Sequence, residues 1–156
     1  MTDIARAGSV ELQRELRDLL RLAVVGDHVR WALIDDSEIA AWLAETVPEW
    51  RALADRVAER LVALGIPPDG RVRSLAEDIP PWVPAGWLDR EQAQRLLAGR
   101  LQLLSAWARL RSSQAADGDT ARLLESVAAR LEHSSARLVA TGVPGAIDSS
   151  ASETVV

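Results

Sequence analysis

Two imidazoles and one pair of carboxylates are the groups of this chain whose type and spacing could carry chemistry. His28 and His133 are its only histidines, and Asp55 and Glu59 stand four residues apart. That spacing puts both carboxylates on one helix face, where they can share a cation or simply be solvated. Each acid also has an arginine beside it in sequence, Arg56 and Arg60. With no cysteine in 156 residues, thiolate nucleophiles, disulfides and sulfur-ligated zinc are excluded. A Ser-His-Asp enzyme would have to use one of the two histidines. The Glu-x-x-His signature of carboxylate di-metal bundles is absent, since Glu59 is followed three residues on by Val62, Glu91 by Gln94 and Glu125 by Ala128. His133, next to Glu132, reads as a surface imidazole. His28, Asp55 and Glu59 remain as the candidate metal ligands.

The frame that must position them is all-helical. Apolar residues recur at intervals of three and four along four long stretches, and strand alternation is nearly absent. The first helix is expected from about Ser9, as N-cap, to Arg30, with Gly26 weakening its last turn. The second runs from about Ser37 to Leu64, and Pro48 inside it predicts a kink or break near 45–47, with Thr46 and Glu49 spaced as a capping box for a restart. A third is capped by Asp89 and reaches about Gln114. A fourth spans about Thr120 to Ala140 after the turn Asp117-Gly118-Asp119.

The Pro/Gly-rich stretch 66–88 joins the second and third helices, and Ser74 with Glu77 predicts a short helix near 74–78 inside it. Trp82 and Trp87 of that stretch are expected to cover a bundle end. Trp42, Trp50 and Trp107 fall at core or interface spacing. Residues 1–8 and 141–156 read as tails, the latter disordered. Two tight connections and one long one describe a ferritin-like four-helix bundle with a crossover over 9–140.

Composition bounds the function. The chain is 48% hydrophobic and 26% charged, which suits one globular domain, and its 18 basic residues, all arginine, face 23 acidic ones for a net charge of −5. No basic run offers the clustered cations that phosphate neutralisation needs. The N-terminus has no secretory pattern, and no run of about 18 apolar residues follows. A cytoplasmic protein without a membrane segment is expected.

The stretch Ala54-Asp-Arg-Val-Ala-Glu-Arg-Leu-Val-Ala-Leu-Gly65, followed by Pro68-Asp69-Gly70-Arg71, resembles the D-x-x-A-E-R-x-x-x-L-G segment of the Dps mini-ferritins. Asp119 to Glu125 and Leu131-Glu132 are similar to that family's last helix, so the likeness covers about residues 12–140. It implies a hollow shell of twelve identical subunits in which ferrous iron is oxidised by peroxide or oxygen and stored, with stress protection as the outcome. It also implies a ferroxidase site at a two-fold interface. One subunit gives two histidines twelve residues apart and an acid four further on, and its neighbour gives an Asp and a Glu four apart.

Carried over, His28 is the first histidine, and Asp55 and Glu59 are the neighbour's pair. The second histidine position is Ala40, and the intervening acid position is Ala44. Two alanines offer no donor, so the expectation is a degenerate site with weak iron binding and slow ferroxidation, or none. The family's H-W-x-x-x-G-x-x-F run appears as His28-Val-Arg-Trp31-Ala-Leu-Ile-Asp-Asp36, without its glycine and phenylalanine. The C-terminal tail has no basic residue and the N-terminal one only Arg6, so DNA binding through tails is not expected. Asp117 and Asp119 are candidates for an acidic pore, or for turn capping. The alternative functional reading is a non-catalytic helical bundle whose product is self-assembly or a protein contact.

Overall fold

A computed structural model describes residues 3–35, 37–77 and 83–141. Five helices follow in order: α1 (Asp3–Ala32), α2 (Ser37–Ala63), α3 (Val72–Ala76), α4 (Arg90–Ser113) and α5 (Gly118–Thr141). Their directions follow from which residues meet. Trp50 bonds Ser134, Arg56 bonds Ser126 and Arg60 bonds Thr120, so α2 and α5 run antiparallel. Arg111 near the end of α4 bonds Glu15 and Asp18 near the start of α1, while Leu88, just before α4, bonds Ala32 and Ile34. Thus α1 and α4 are also antiparallel. With α1–α2 a tight hairpin, α2 and α4 must run the same way, and only a connection as long as the bundle can join them. Residues 64–89 are that crossover.

The core is the apolar stripe of all four long helices, from Leu12, Leu16 and Leu19 on α1 to Leu124, Val127 and Leu131 on α5, each almost wholly withdrawn from water. Each such leucine contributes roughly 1.5–3 kcal/mol through the area it buries. Trp42 and Trp50 are buried edge-to-face, 5.9 Å between ring centres, and the Trp50 indole N–H donates to Ser134 Oγ at 3.2 Å.

Several local expectations are corrected. The first helix begins at Asp3, so Ser9 lies inside it and is not its N-cap. Gly26 is not a weak last turn but a contact point: a β-carbon there would lie 2.6 Å from Val47 Cγ2 and 2.8 Å from Trp50 Cζ3. Only a hydrogen lets α1 approach α2 this closely. The second helix runs unbroken through Pro48, and the buried Thr46 hydroxyl has no hydrogen-bond partner, so no capping box forms there. Packing of Val47 and Trp50 outweighs the lost proline hydrogen bond.

The short helix begins at Val72, and Ser74, instead of capping it, donates to Asp69 Oδ2 at 2.7 Å. Trp87 is 74% exposed and is not packed into the bundle end; the neighbouring Leu88 is buried in its place. Trp82 lies outside the described residues, as do 142–156. Trp107, expected in the core or an interface, is 37% exposed and so lies outside the core of the single chain. The Asp89 cap holds as expected, with a complete capping box to Gln92.

Candidate metal centre

His28 sits late on α1, half-buried, beside the end of the crossover. Its Nε2 lies 3.0 Å from the Pro84 carbonyl oxygen, an acceptor only, so Nε2 carries the proton and donates. Nδ1 is therefore the nitrogen with a lone pair to offer. The adjacent Asp27 carboxylate is occupied by Arg51 at 2.9 Å and Arg30 at 3.3 Å.

Asp55 and Glu59 are exposed on α2, and no hydrogen bond or ion pair engages them among the described residues. The arginines beside them turn the other way. Arg56 donates to Ser126 Oγ at 3.0 Å, and Arg60 donates to Thr120 Oγ1 at 3.0 Å and Asp117 Oδ1 at 2.8 Å. Both guanidiniums thus tie α2 to α5 and leave the carboxylates open.

Within one chain the three candidates do not converge. The Gly26–Trp50 and Asp27–Arg51 contacts fix the α1–α2 register, which sets Asp55 and Glu59 level with residues near 22 and 18 of α1. At 1.5 Å per residue, His28 is displaced from them by roughly 9 and 15 Å along the bundle. Among the described residues no three histidine or acidic side chains are grouped to hold a metal. Ala40 is half-buried and Ala44 exposed, and neither supplies a donor. One imidazole and two carboxylates make a donor set for a single oxygen- and nitrogen-preferring cation, and only if two copies of the chain contribute.

The acidic pair near α5 is engaged otherwise. Asp117 accepts from the Thr120 backbone N–H and hydroxyl, both at 2.8 Å, and these bonds with Arg60 hold its carboxyl below the usual range. Asp119 is bonded by Arg122. Capping and arginine pairing therefore account for both. His133 is exposed on α5, as expected.

What the sequence reading missed is a buried ionic cluster between α1 and α4. Arg111 Nη1 donates to Glu15 at 2.6 Å and Asp18 at 2.9 Å, and Nε reaches Glu11 at 3.3 Å. Burial pushes the Glu15 carboxyl up to about 7 despite that guanidinium. The available signal was Arg111 itself, which falls on the apolar stripe of its helix. The Pro68-Asp69-Gly70-Arg71 segment proves to be a docking hub. Asp69 accepts from Arg17 at 3.1 Å, Arg71 at 2.9 Å and Ser74, and its backbone N–H donates to Gln13, pinning the crossover to α1.

No protein-family model and no curated protein matches the chain. Solved structures do. A Dps protein of Deinococcus radiodurans superposes with a TM-score of 0.84 at 23% identity, over 89% of this chain and 87% of that one. Dps of Microbacterium arborescens, in a high-iron form, gives 0.82 at 22% over 90% and 95%. Dps of Thermosynechococcus elongatus gives 0.83 at 17% over 97% and 98%. No helix among the described residues is long and apolar enough to cross a membrane. Helix order, crossover and these neighbours together give the chain the all-α, ferritin-like fold of the Dps proteins.

Proposed function

We propose that the chain is a subunit of a Dps-like hollow homo-oligomer, dodecameric by analogy with that family, which takes up ferrous iron at a two-fold interface. In this reading each site takes His28 from one subunit and Asp55 and Glu59 from its partner, and an isologous interface generates the site twice. Iron is here the substrate or cargo. The donors fit one metal ion, while Ala40 and Ala44 withhold the ligands that a second would need. The chain is then a sequestering subunit with weak or slow ferroxidase activity, cytoplasmic and without DNA-binding tails.

The observation that carries the reading is the open state of Asp55 and Glu59. Unpaired carboxylates four apart on one helix face, with their neighbouring arginines diverted to α5, suit a cation better than they suit a solvated salt-bridge network. Light scattering of the purified protein, followed by anaerobic Fe²⁺ titration and peroxide addition, tests it. A closed oligomer that binds iron is expected. A monomer of 16.9 kDa would remove the cage and the interfacial site together.

A further inference from the structure

Four large apolar side chains stand open to water around the candidate ligands. Trp31 is 67% and Val62 62% exposed, and Val24 and Ile34 are each half-exposed. Helical spacing puts them in the ligands' own stripes: 24, 28 and 31 share one face of α1, with Ile34 just beyond its end, and 55, 59 and 62 share one face of α2. Exposed apolar residues gathered in this way, unlike scattered ones, mark a contact with another molecule.

The register of the single chain restricts how a second copy can reach the ligands. A two-fold axis parallel to the helices sets every level opposite itself, so His28 would stay roughly 9 and 15 Å along the bundle from the partner's acids, as it does from its own. An axis that crosses the helices at right angles reverses the partner and brings the two sets together. The level midway between His28 and the acidic pair then lies on the axis, and on α1 that level is Val24. The same rotation carries Trp31 and Ile34 to the level of the partner's α2 positions near 60 and 63, beside Val62. Thus the exposed apolar residues fall opposite one another under a rotation chosen only to join the ligands. The charges agree as well. Arg30, whose guanidinium carbon lies 5.7 Å from the Trp31 ring centre and whose Nε is buried without a hydrogen-bond partner, comes level with the partner's open Glu59.

We propose that a second copy of this chain docks antiparallel on the outward face of α1 and α2, with Val24 meeting its own copy on the two-fold axis and Trp31 and Ile34 of each copy closing over the partner's Val62. The inference rests on the two-fold reading of the metal site and adds its orientation and its anchors. An exposed indole is the side chain best suited to anchor such a contact, since it removes a large apolar area from water at little cost in side-chain freedom. His28 lies between the Val24 and Trp31 contacts, so both shield the site from bulk water.

The chain has no cysteine, so introduced thiols report these contacts alone. The assembled variants are treated with a short bis-maleimide and run on a denaturing gel. Val24→Cys should give a covalent dimer and nothing larger, because an isologous contact closes on itself. Ile34→Cys combined with Val62→Cys should also link two chains, since within one chain these positions lie roughly 28 Å apart along the bundle. Ile34→Cys alone should give no link, its two copies lying about 30 Å apart. All three side chains are at the surface, so the fold tolerates their replacement. Failure of either link, or a dimer from Ile34→Cys alone, would overturn the proposal. Anaerobic Fe²⁺ titration of the same variants separates it from the metal reading: links without iron binding remove the metal site and keep the contact, whereas iron binding without links keeps the metal site and removes the contact.

Discussion

The His28 imidazole donates from Nε2 to the Pro84 carbonyl oxygen at 3.0 Å, fastening the late part of α1 to the end of the crossover. This bond fixes the tautomer and leaves Nδ1 as the nitrogen that would face iron in the proposed site. His28→Ala should therefore lose Fe²⁺ affinity by about 10-fold or more. His28→Gln, which can still donate to Pro84, should lose metal affinity equally while retaining thermal stability. Anaerobic Fe²⁺ titration alongside thermal melts separates the two roles.

Restoring the missing donors is the constructive counterpart. Ala40→His with Ala44→Asp adds an imidazole and a carboxylate at the positions where the family resemblance places ligands. Two metal ions per site in place of one, and faster Fe²⁺ oxidation by peroxide, are expected in stopped-flow absorbance. An unchanged stoichiometry would show that α2 does not carry these positions to the site.

Gly26 sets how closely α1 and α2 pack. A methyl placed there meets Val47 and Trp50 at distances no carbon pair tolerates, so one helix must shift. Gly26→Ala should destabilise the subunit by about 1–3 kcal/mol, the cost of overpacking, although alanine is the better helix former. Thermal denaturation reads this directly, and a stabilised variant would contradict the packing account.

Much of the fold was legible because helical periodicity is a local signal. The four long helices, the Asp89 cap and the crossover all follow from residues close in sequence. What was not legible depended on neighbours distant in sequence. Ser9 resembles an N-cap until the preceding residues continue the helix, and Pro48 resembles a breaker until Val47 and Trp50 are seen locked against Gly26. Trp87 and Leu88 could not be told apart by composition, yet only Leu88 is buried. At the candidate site the sequence named His28, Asp55 and Glu59, but not that Arg56 and Arg60 leave the acids by reaching α5. Nor did it reveal the Arg111 cluster, whose partners lie about a hundred residues away in sequence.

That cluster has a pH signature. The folded protein holds the Glu15 proton up to about pH 7, whereas the unfolded chain releases it near 4.5. Between those values the native state binds more protons, so this carboxyl makes stability fall as pH rises through the window, by on the order of 3 kcal/mol. Glu15→Gln should remove that part of the decline. Urea unfolding at a series of pH values checks it, and parallel curves for the two proteins would contradict the assignment.

Mixing two defective subunits asks directly whether each metal site is built from two chains. His28→Ala and the double variant Asp55→Asn, Glu59→Gln should each bind no Fe²⁺ tightly. When they are co-expressed and assembled together, random pairing at a two-fold interface leaves about a quarter of the sites with an intact imidazole facing an intact acidic pair. The account predicts recovery of about that fraction of the wild-type tight binding by anaerobic titration. Mixed oligomers that bind no more iron than either parent would contradict it.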